Sequence, residues 1–378
     1  MDEAKKLLIS LLSIPSVNGR DDEGKVAEFL CEYLKEAGLK AEVDRIDETH
    51  ANVRAVLRGK KEERRILWNG HLDTVPYGAL EEWESDPALP VERDGRIFAR
   101  GASDMKSGLA AMVFALAEFA KSGRQPENTI HFLGSADEEK GGLGAIKAVE
   151  RDKEAWDEIL IGEPTGLKMG VVQKGGVWLC LRCFGKTSHG AYPEEGVSAV
   201  KYGLKIAEEV ARFVGNFSHP LLGVSTAQVN EIRGGIAPNM TPDYCELVVD
   251  VRLTPGISGG ELIRKTEEII STLREETAGL FRAELSVDIN RRGIEISGDA
   301  LLYKRLGEVL RHEGVSQEEI GIRYFTDASV LAENTLGTEI MLFGPGEPSL
   351  AHKPNEWVEL QKYGTAIRVF SRLLEAEA

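Results

Sequence analysis

Short apolar runs alternate along this chain with longer stretches in which apolar residues return every three or four positions, the two rhythms of buried strands and amphipathic helices. Leu7-Leu8-Ile9-Ser10-Leu11-Leu12, stopped by Pro15, predicts a first helix. Val26, Phe29, Leu30 and Leu34 predict a second over Asp22 to Leu39, with Gly38 near its end. Strands are expected at 40–46, 51–58 and 65–69. Leu109 to Phe119 is almost continuously apolar between Gly108 and Gly123, as a buried helix would be. Thr129 to Leu133 and Ile159 to Ile161 have the composition of central strands covered on both faces.

Between about Gly175 and Ile289 the rhythm changes to strand (177–184), helix (196–214), strand (224–232), strand (244–253), helix (259–277) and strand (282–289). This β-α-β-β-α-β order is that of the ferredoxin-like split unit. The expected fold class is therefore α/β, a central mixed sheet with flanking helices. Its main domain is discontinuous, residues 1–175 and 290–378, around an inserted ferredoxin-like α+β domain at 176–289. No internal repeat or low-complexity segment interrupts the pattern.

Composition narrows the function classes. With 378 residues and 42% apolar content the chain can bury a large core. A formal net charge of -16, with no Lys/Arg-rich block, argues against nucleic acid as a partner. Lys5-Lys6 before the first apolar stretch mimics a secretion signal, but Asp2 and Glu3 spoil the basic region and no small-residue cleavage site follows. No run approaches the roughly 20 apolar residues that span a bilayer, so no membrane partner is expected. Four scattered cysteines disfavour a disulfide framework, and a cytoplasmic location is expected. Cys180-x-x-Cys183 lies in a strand-like run without a second pair, so its thiols should face opposite sides of a sheet rather than share a metal.

The candidate chemistry gathers where apolar runs end. Gly70-His71-Leu72-Asp73 closes Ile66-Leu67-Trp68, and His71 and Asp73 can point to one side, the aspartate holding the second nitrogen of a ligating imidazole. Asp104 stands in a Gly-bounded turn, either as a ligand or as an N-cap for the next helix. Asp137-Glu138-Glu139 follows a buried-type strand, where three adjacent acids repel unless cations balance them; the alternative is a plain surface loop. Gly162-Glu163-Pro164 again sets an acid at the end of an apolar run. Open α/β sheets place ligands outside the carboxyl ends of their strands, and this oxygen-rich, imidazole-containing set suits Zn²⁺, Co²⁺ or Mn²⁺.

These stretches also carry a resemblance. GHLDTVP (70–76), RGASDMKSG (100–108), ADEEKGG (136–142), GEPT (162–165), GKTSHGAYPEEG (185–196), APNMTPD (237–243), DVR (250–252) and GPGEPSLAHKPNEWV (344–358) resemble, in order and spacing, the co-catalytic zinc deacylases and exopeptidases. That family is typified by acetylornithine deacetylase, succinyl-diaminopimelate desuccinylase, aminoacylase and carboxypeptidase G. The resemblance implies two divalent metal ions bridged by Asp104, one completed by His71 and Glu163 and the other by Glu139 and His352, with zinc first and cobalt or manganese as alternatives. It implies Glu138 as general base, and Asp73, as the expected holder of the His71 imidazole, is counted with it among the catalytic residues. It further implies a homodimer through the inserted domain, His189 serving the neighbouring subunit's site, and Asn239, Arg252, Tyr192 and Thr326 as substrate contacts. The implied activity is hydrolysis of the amide bond of an N-acyl amino acid, with a carboxypeptidase or dipeptidase acting on a short peptide as the alternative and a non-catalytic scaffold as the remote one. Glu163 favours the deacylase and carboxypeptidase side, since aminopeptidase-type relatives tend to carry Asp there.

Overall fold

A computed structural model describes residues 1–152, 154–332 and 337–376. The chain divides into two compact units: Met1–Val171 with Ile296–Ile320 and Thr326–Ala378, and Val172–Glu295 with Gly321–Phe325.

The first unit is built on a mixed sheet whose order is Lys40–Arg45, Ala51–Leu57, Asn128–Ser135, Lys61–His71, Glu158–Ile161, Glu339–Leu342 and Met169–Gln173. Lys61–His71 runs parallel to both of its neighbours, and Glu339–Leu342 runs parallel to Glu158–Ile161. These central strands read as unbroken apolar runs because both faces are covered; every residue of Glu158–Ile161 is buried. On one side the helix Lys106–Lys121 packs against Asp2–Leu12 and Leu360–Ala376. The two ends of the chain thus share one core: Tyr363 donates its hydroxyl hydrogen to the carbonyl of Ala4 at 2.8 Å, and the rings of Trp68 and Phe370 lie 5.5 Å apart. The predicted helix at 109–119 is longer than its apolar run, because Lys106, Ser107 and Gly108 are buried with it. Gly108 is the close point. A Cβ there would stand 1.8 Å from the carbonyl oxygen of Gly162, so only glycine lets this helix approach the turn that carries Glu163.

The second unit has an antiparallel sheet in the order Thr226–Gly234, Tyr244–Leu253, Gly175–Phe184, Arg282–Arg291. The helices Ala199–Val214 and Gly259–Glu276 close one face over Leu179, Leu181, Cys183, Ile206, Leu247 and Phe281. Connectivity and strand order are those of the split β-α-β unit. The short stretch Gly321–Phe325, placed by the sequence with the last segment, also belongs to this unit. The helix Gly259–Glu276 begins with a full capping box, Ser258 and Glu261 satisfying each other's backbone N–H. Cys183 is buried opposite Cys245 while Cys180 is half-buried on the other face. Burial pushes the Cys183 thiol up to about 12 and the Cys180 thiol up to about 11, and their places on opposite faces of the sheet keep the two from sharing a metal. No helix among the described residues is long and apolar enough to cross a membrane.

Candidate metal centre

Three parallel strands of the first unit deliver the site at their carboxyl ends, as open α/β sheets do. His71 is the last residue of Lys61–His71, Glu138 and Glu139 follow Asn128–Ser135, and Glu163 follows Glu158–Ile161. His71, Asp104 and Glu139 offer ligand atoms that all lie within 4.8 Å of one another. His71 Nε2 is 3.2 Å from Asp104 Oδ1. From the other side, His352 Nε2 is 2.9 Å from Glu139 Oε2 and 3.5 Å from Asp104 Oδ2. Asp104 therefore lies between the two imidazoles. Its alternative role as a helix N-cap is overturned: Met105 occupies that position, and no side chain caps this helix. The surface-loop alternative for 137–139 also fails for Glu138 and Glu139, which burial and neighbouring charge both mark, whereas Asp137 stays on the loop and accepts from Leu143 N–H at 3.3 Å.

Asp73 does more than the strand alternation suggested. The Nδ1 of His71 meets the backbone carbonyl of Asp73 at 3.0 Å and its carboxylate at 3.5 Å. The same carboxylate accepts the backbone N–H groups of Glu138 at 3.1 Å and Glu139 at 3.0 Å. One buried side chain thus sets a histidine on one strand end and two glutamates on the next. Burial works against its charged form, but the His71 imidazole and the Glu139 N–H outweigh that and hold the Asp73 carboxyl below its usual range.

The electrostatics call for positive charge. Burial first, then the charges of Glu163 and Glu139, pushes Glu138 well above the usual carboxylate range; burial with Asp104 does the same to Glu163 and raises Glu139, against the opposing hydrogen bond from His352. His71 is shifted well upward despite its burial, because Asp104 and Asp73 draw a proton onto it; His352 is shifted upward by its hydrogen bond to Glu139. Acids that resist ionising beside imidazoles that hold protons are a set short of cations. Glu139 Oε1 is buried with no hydrogen-bond partner, which is the mark of an atom kept for an ion. Imidazole nitrogens and carboxylate oxygens are donors that suit zinc, cobalt or manganese, so the residues present fit a divalent metal.

Four residues that the sequence did not single out support this centre. Glu356 is fully buried and accepts four donors: Arg100 Nη1 at 2.7 Å and the N–H groups of Gly101, Ser103 and Asp104 at 3.1, 2.7 and 2.9 Å. It ties the turn that carries Asp104 to the segment that carries His352, and in the sequence it lies inside the 344–358 motif, four residues beyond that histidine, with no role attached. Asp327 is buried and accepts from the Ser135 hydroxyl, adding negative charge near Glu138 and Glu163. Asn18 and Glu23 stand behind Asp73, and nothing in their local sequence marks them.

The remaining predicted residues separate. His189, Tyr192 and Asn239 gather in the second unit: His189 pairs with Met240 in an isolated bridge, Gly190 N–H donates to the Asn239 carbonyl at 2.7 Å, and the His189 and Tyr192 rings lie 5.9 Å apart. Tyr192 is exposed. Arg252, also in the second unit, donates from Nε to Asp250 Oδ2 at 3.1 Å and lies 5.0 Å from the Phe325 ring centre. Thr326 belongs to the first unit, where its hydroxyl accepts from Ala328 N–H at 3.2 Å and caps the helix Asp327–Leu331.

Comparison with known proteins shows the family and the fold. Acetylornithine deacetylase of Aliivibrio salmonicida is 30% identical over 380 residues, covering 97% of this chain and 96% of that protein, and acetylornithine deacetylase of Myxococcus xanthus is 31% identical over 349 residues, covering 87% and 85%. Among solved structures, an M20 family metallo-carboxypeptidase from Sulfolobus solfataricus has the same fold with a TM-score of 0.80 at 20% identity, over 100% of this chain and 99% of that one. A dinuclear metal binding peptidase of the M20 family from Bacillus subtilis aligns with a TM-score of 0.72 at 14% identity, over 99% and 97%. The match to the family model spans residues 67–376, from the strand that ends in His71 through the last helix, and the chain is accordingly an amide-hydrolysing member of peptidase family M20/M25/M40.

Proposed function

We propose that this protein removes the acyl group from an N-acyl amino acid by metal-assisted hydrolysis. The observation that carries the reading is the trio His71, Asp104 and Glu139, two buried and one half-buried, joined by His352 and flanked by Glu138 on the turn that Asp73 anchors. Near-complete coverage of relatives named acetylornithine deacetylase supports the deacylase side. Asp104 would be shared by two cations, with His71 and Glu163 on one and Glu139 and His352 on the other. Zinc is the first choice, with cobalt and manganese as alternatives. Two bound divalent cations supply Lewis acidity to the amide carbonyl and lower the pKa of the attacking water toward neutrality.

The chain's own groups do the rest. Asp73 fixes the backbone of Glu138, whose carboxylate accepts the proton of the attacking water and returns it to the leaving nitrogen. His189 is proposed to donate a hydrogen bond to the developing oxyanion of a neighbouring subunit in a homodimer formed through the second unit. Asn239 and Tyr192, beside it, would contact substrate, as would Thr326.

A panel of N-acetyl, N-succinyl and dipeptide substrates, assayed with Zn²⁺, Co²⁺ and Mn²⁺, tests the reaction. An N-acyl amino acid should give the highest kcat/KM. A preference for dipeptides moves the assignment to a carboxypeptidase or dipeptidase, which would use the same centre, and no turnover of any amide rejects both.

Arg252 is assigned to the substrate carboxylate. Its Nε is engaged by Asp250, and a guanidinium held that way still presents its terminal nitrogens for bidentate pairing. Arg252→Ala should lower kcat/KM for the free acid by roughly 1.5–3 kcal/mol, the range of a charge-assisted hydrogen bond, and spare the corresponding amide. Equal loss on acid and amide would make Arg252 a structural partner of Asp250 and Phe325.

A further inference from the structure

Behind Asp73, on the side away from His71, lies a polar cluster that none of the proposed ligands enters. The segment Ser16–Asn18 runs beside Leu72–Thr74. Val17 bridges Thr74 in parallel, Asn18 N–H donates to the Thr74 carbonyl at 2.8 Å, Thr74 N–H donates to the Ser16 carbonyl at 2.9 Å, and the Ser16 hydroxyl donates to the Leu72 carbonyl at 2.8 Å. The backbone of Asn18 is thereby locked to the residues on both sides of Asp73, and its side chain has little choice of direction. Its amide nitrogen Nδ2 lies 3.0 Å from Asp73 Oδ2, 2.9 Å from Asp137 Oδ1 and 3.4 Å from Glu23 Oε1. Glu23, fully buried, accepts the Asp137 N–H on its other oxygen at 2.9 Å.

Three carboxylates converge on one amide group that has two hydrogens to give and no charge. Without that donor they would repel, and Asp73 and Asp137 are the two residues that govern the turn carrying Glu138 and Glu139. Asp137 directly precedes Glu138 and takes a left-handed backbone with φ of 62°, while Asp73 receives the N–H groups of the next two residues. A non-glycine residue in that region stores strain of about 1 kcal/mol or more and persists only where its surroundings hold it. Within the turn the N–H groups of Gly141 and Gly142 hold its carbonyl and Leu143 N–H holds one carboxylate oxygen; from outside the turn, Glu23 holds its N–H and Asn18 the other carboxylate oxygen. Burial and the nearby Asp73 charge push the Glu23 carboxyl up to about 9, which lowers the repulsion at the point where the acids meet.

We propose that Asn18 and Glu23 are positioning residues that clamp Asp73 to Asp137 and so set the Glu138–Glu139 turn for metal capture and proton transfer. The clamp rests on the roles given above to Asp73, Glu138 and Glu139. Groups one step behind metal ligands, as Asp73 is, are worth about 10- to 100-fold in metal affinity or activity, and Asn18 and Glu23, one step further back, act through Asp73 and Asp137, so that range is their ceiling. Asn18→Asp keeps the shape of the side chain, and hence its packing, but replaces the donor by a further carboxylate. Asn18→Ala removes the donor with the rest of the amide and adds no charge.

Both variants should lose kcat and zinc affinity, by up to about 10- to 100-fold, Asn18→Asp at least as much as Asn18→Ala, with KM moving little. Glu23→Ala should fall with them, and Glu23→Gln, which keeps an oxygen for the Asp137 N–H, should recover most of the loss. Zinc affinity is read by competition with a chromogenic chelator, and folding by Tm and circular dichroism. Parental kcat and zinc affinity in Asn18→Asp overturn the clamp, as does a loss that follows the folded fraction alone. Should the parent hydrolyse no amide at all, the functional reading fails, while the zinc titrations of the same variants still decide the clamp.

Discussion

Glu138→Gln should retain its metals and lose about 10²- to 10⁴-fold in kcat, the contribution of a positioned general base. The amide has the shape of the carboxylate and leaves Asp73's hold on the backbone N–H untouched, so the turn and the neighbouring Glu139 stay in place. What disappears is the ability to take a proton from water. Metal content by elemental analysis and turnover on the same preparation read the two effects separately. If metal leaves in step with activity, Glu138 is a ligand, and the proton must be taken elsewhere. If activity survives, the base has been misassigned, and Asp327, the one of the three acids whose charge reaches Glu138 that is given no metal here, becomes the candidate.

The second large effect concerns His189, exposed in the second unit with its Nδ1 accepting from Ala191 N–H at 3.1 Å, which directs the remaining ring nitrogen outward as a donor. His189→Ala should cost about 10²- to 10³-fold in kcat, as loss of one oxyanion donor does. Under the proposed sharing, mixing it with Glu138→Gln should restore activity that neither protein has alone. Half of the dimers at random exchange are mixed, one site in each has both residues, and about a quarter of parental activity should return. Subunit exchange is verified with differently tagged chains. Full exchange with no recovery would mean that His189 serves its own subunit or none.

Much of the fold was legible because period and burial coincide. The helices Ala199–Val214 and Gly259–Glu276 carry one apolar stripe each, and the strand Tyr244–Leu253 alternates as a sheet with one covered face must. Boundaries slipped where a polar residue is buried for a reason outside its own element. Lys106 extends the helix Lys106–Lys121 beyond its apolar run because its ammonium donates to the carbonyls of Leu11 and Ile14 at 3.1 and 2.8 Å, a contact between segments ninety or more positions apart. Gly321–Phe325 joined the other unit for a similar reason, its neighbours being distant in sequence: Gly321 packs on Leu221 and Leu222, and Phe325 on Gly176.

By itself the sequence determined the local grammar of the site: His71 and Glu163 at the ends of apolar runs, Glu138 and Glu139 on a turn, Asp104 between glycines, together with the family resemblance of these motifs. Each is a short-range pattern, and short-range patterns survive in one dimension. Only the tertiary structure decided which groups meet. His352 reaches Glu139 across more than two hundred residues, Glu356 closes the turn before Asp104, and Asn18 collects three carboxylates drawn from positions 23, 73 and 137. Those contacts depend on how parallel strands are ordered in the sheet, and the free energy of a buried charge depends on every neighbour it acquires there. Neither quantity is written in the residues next to it along the chain.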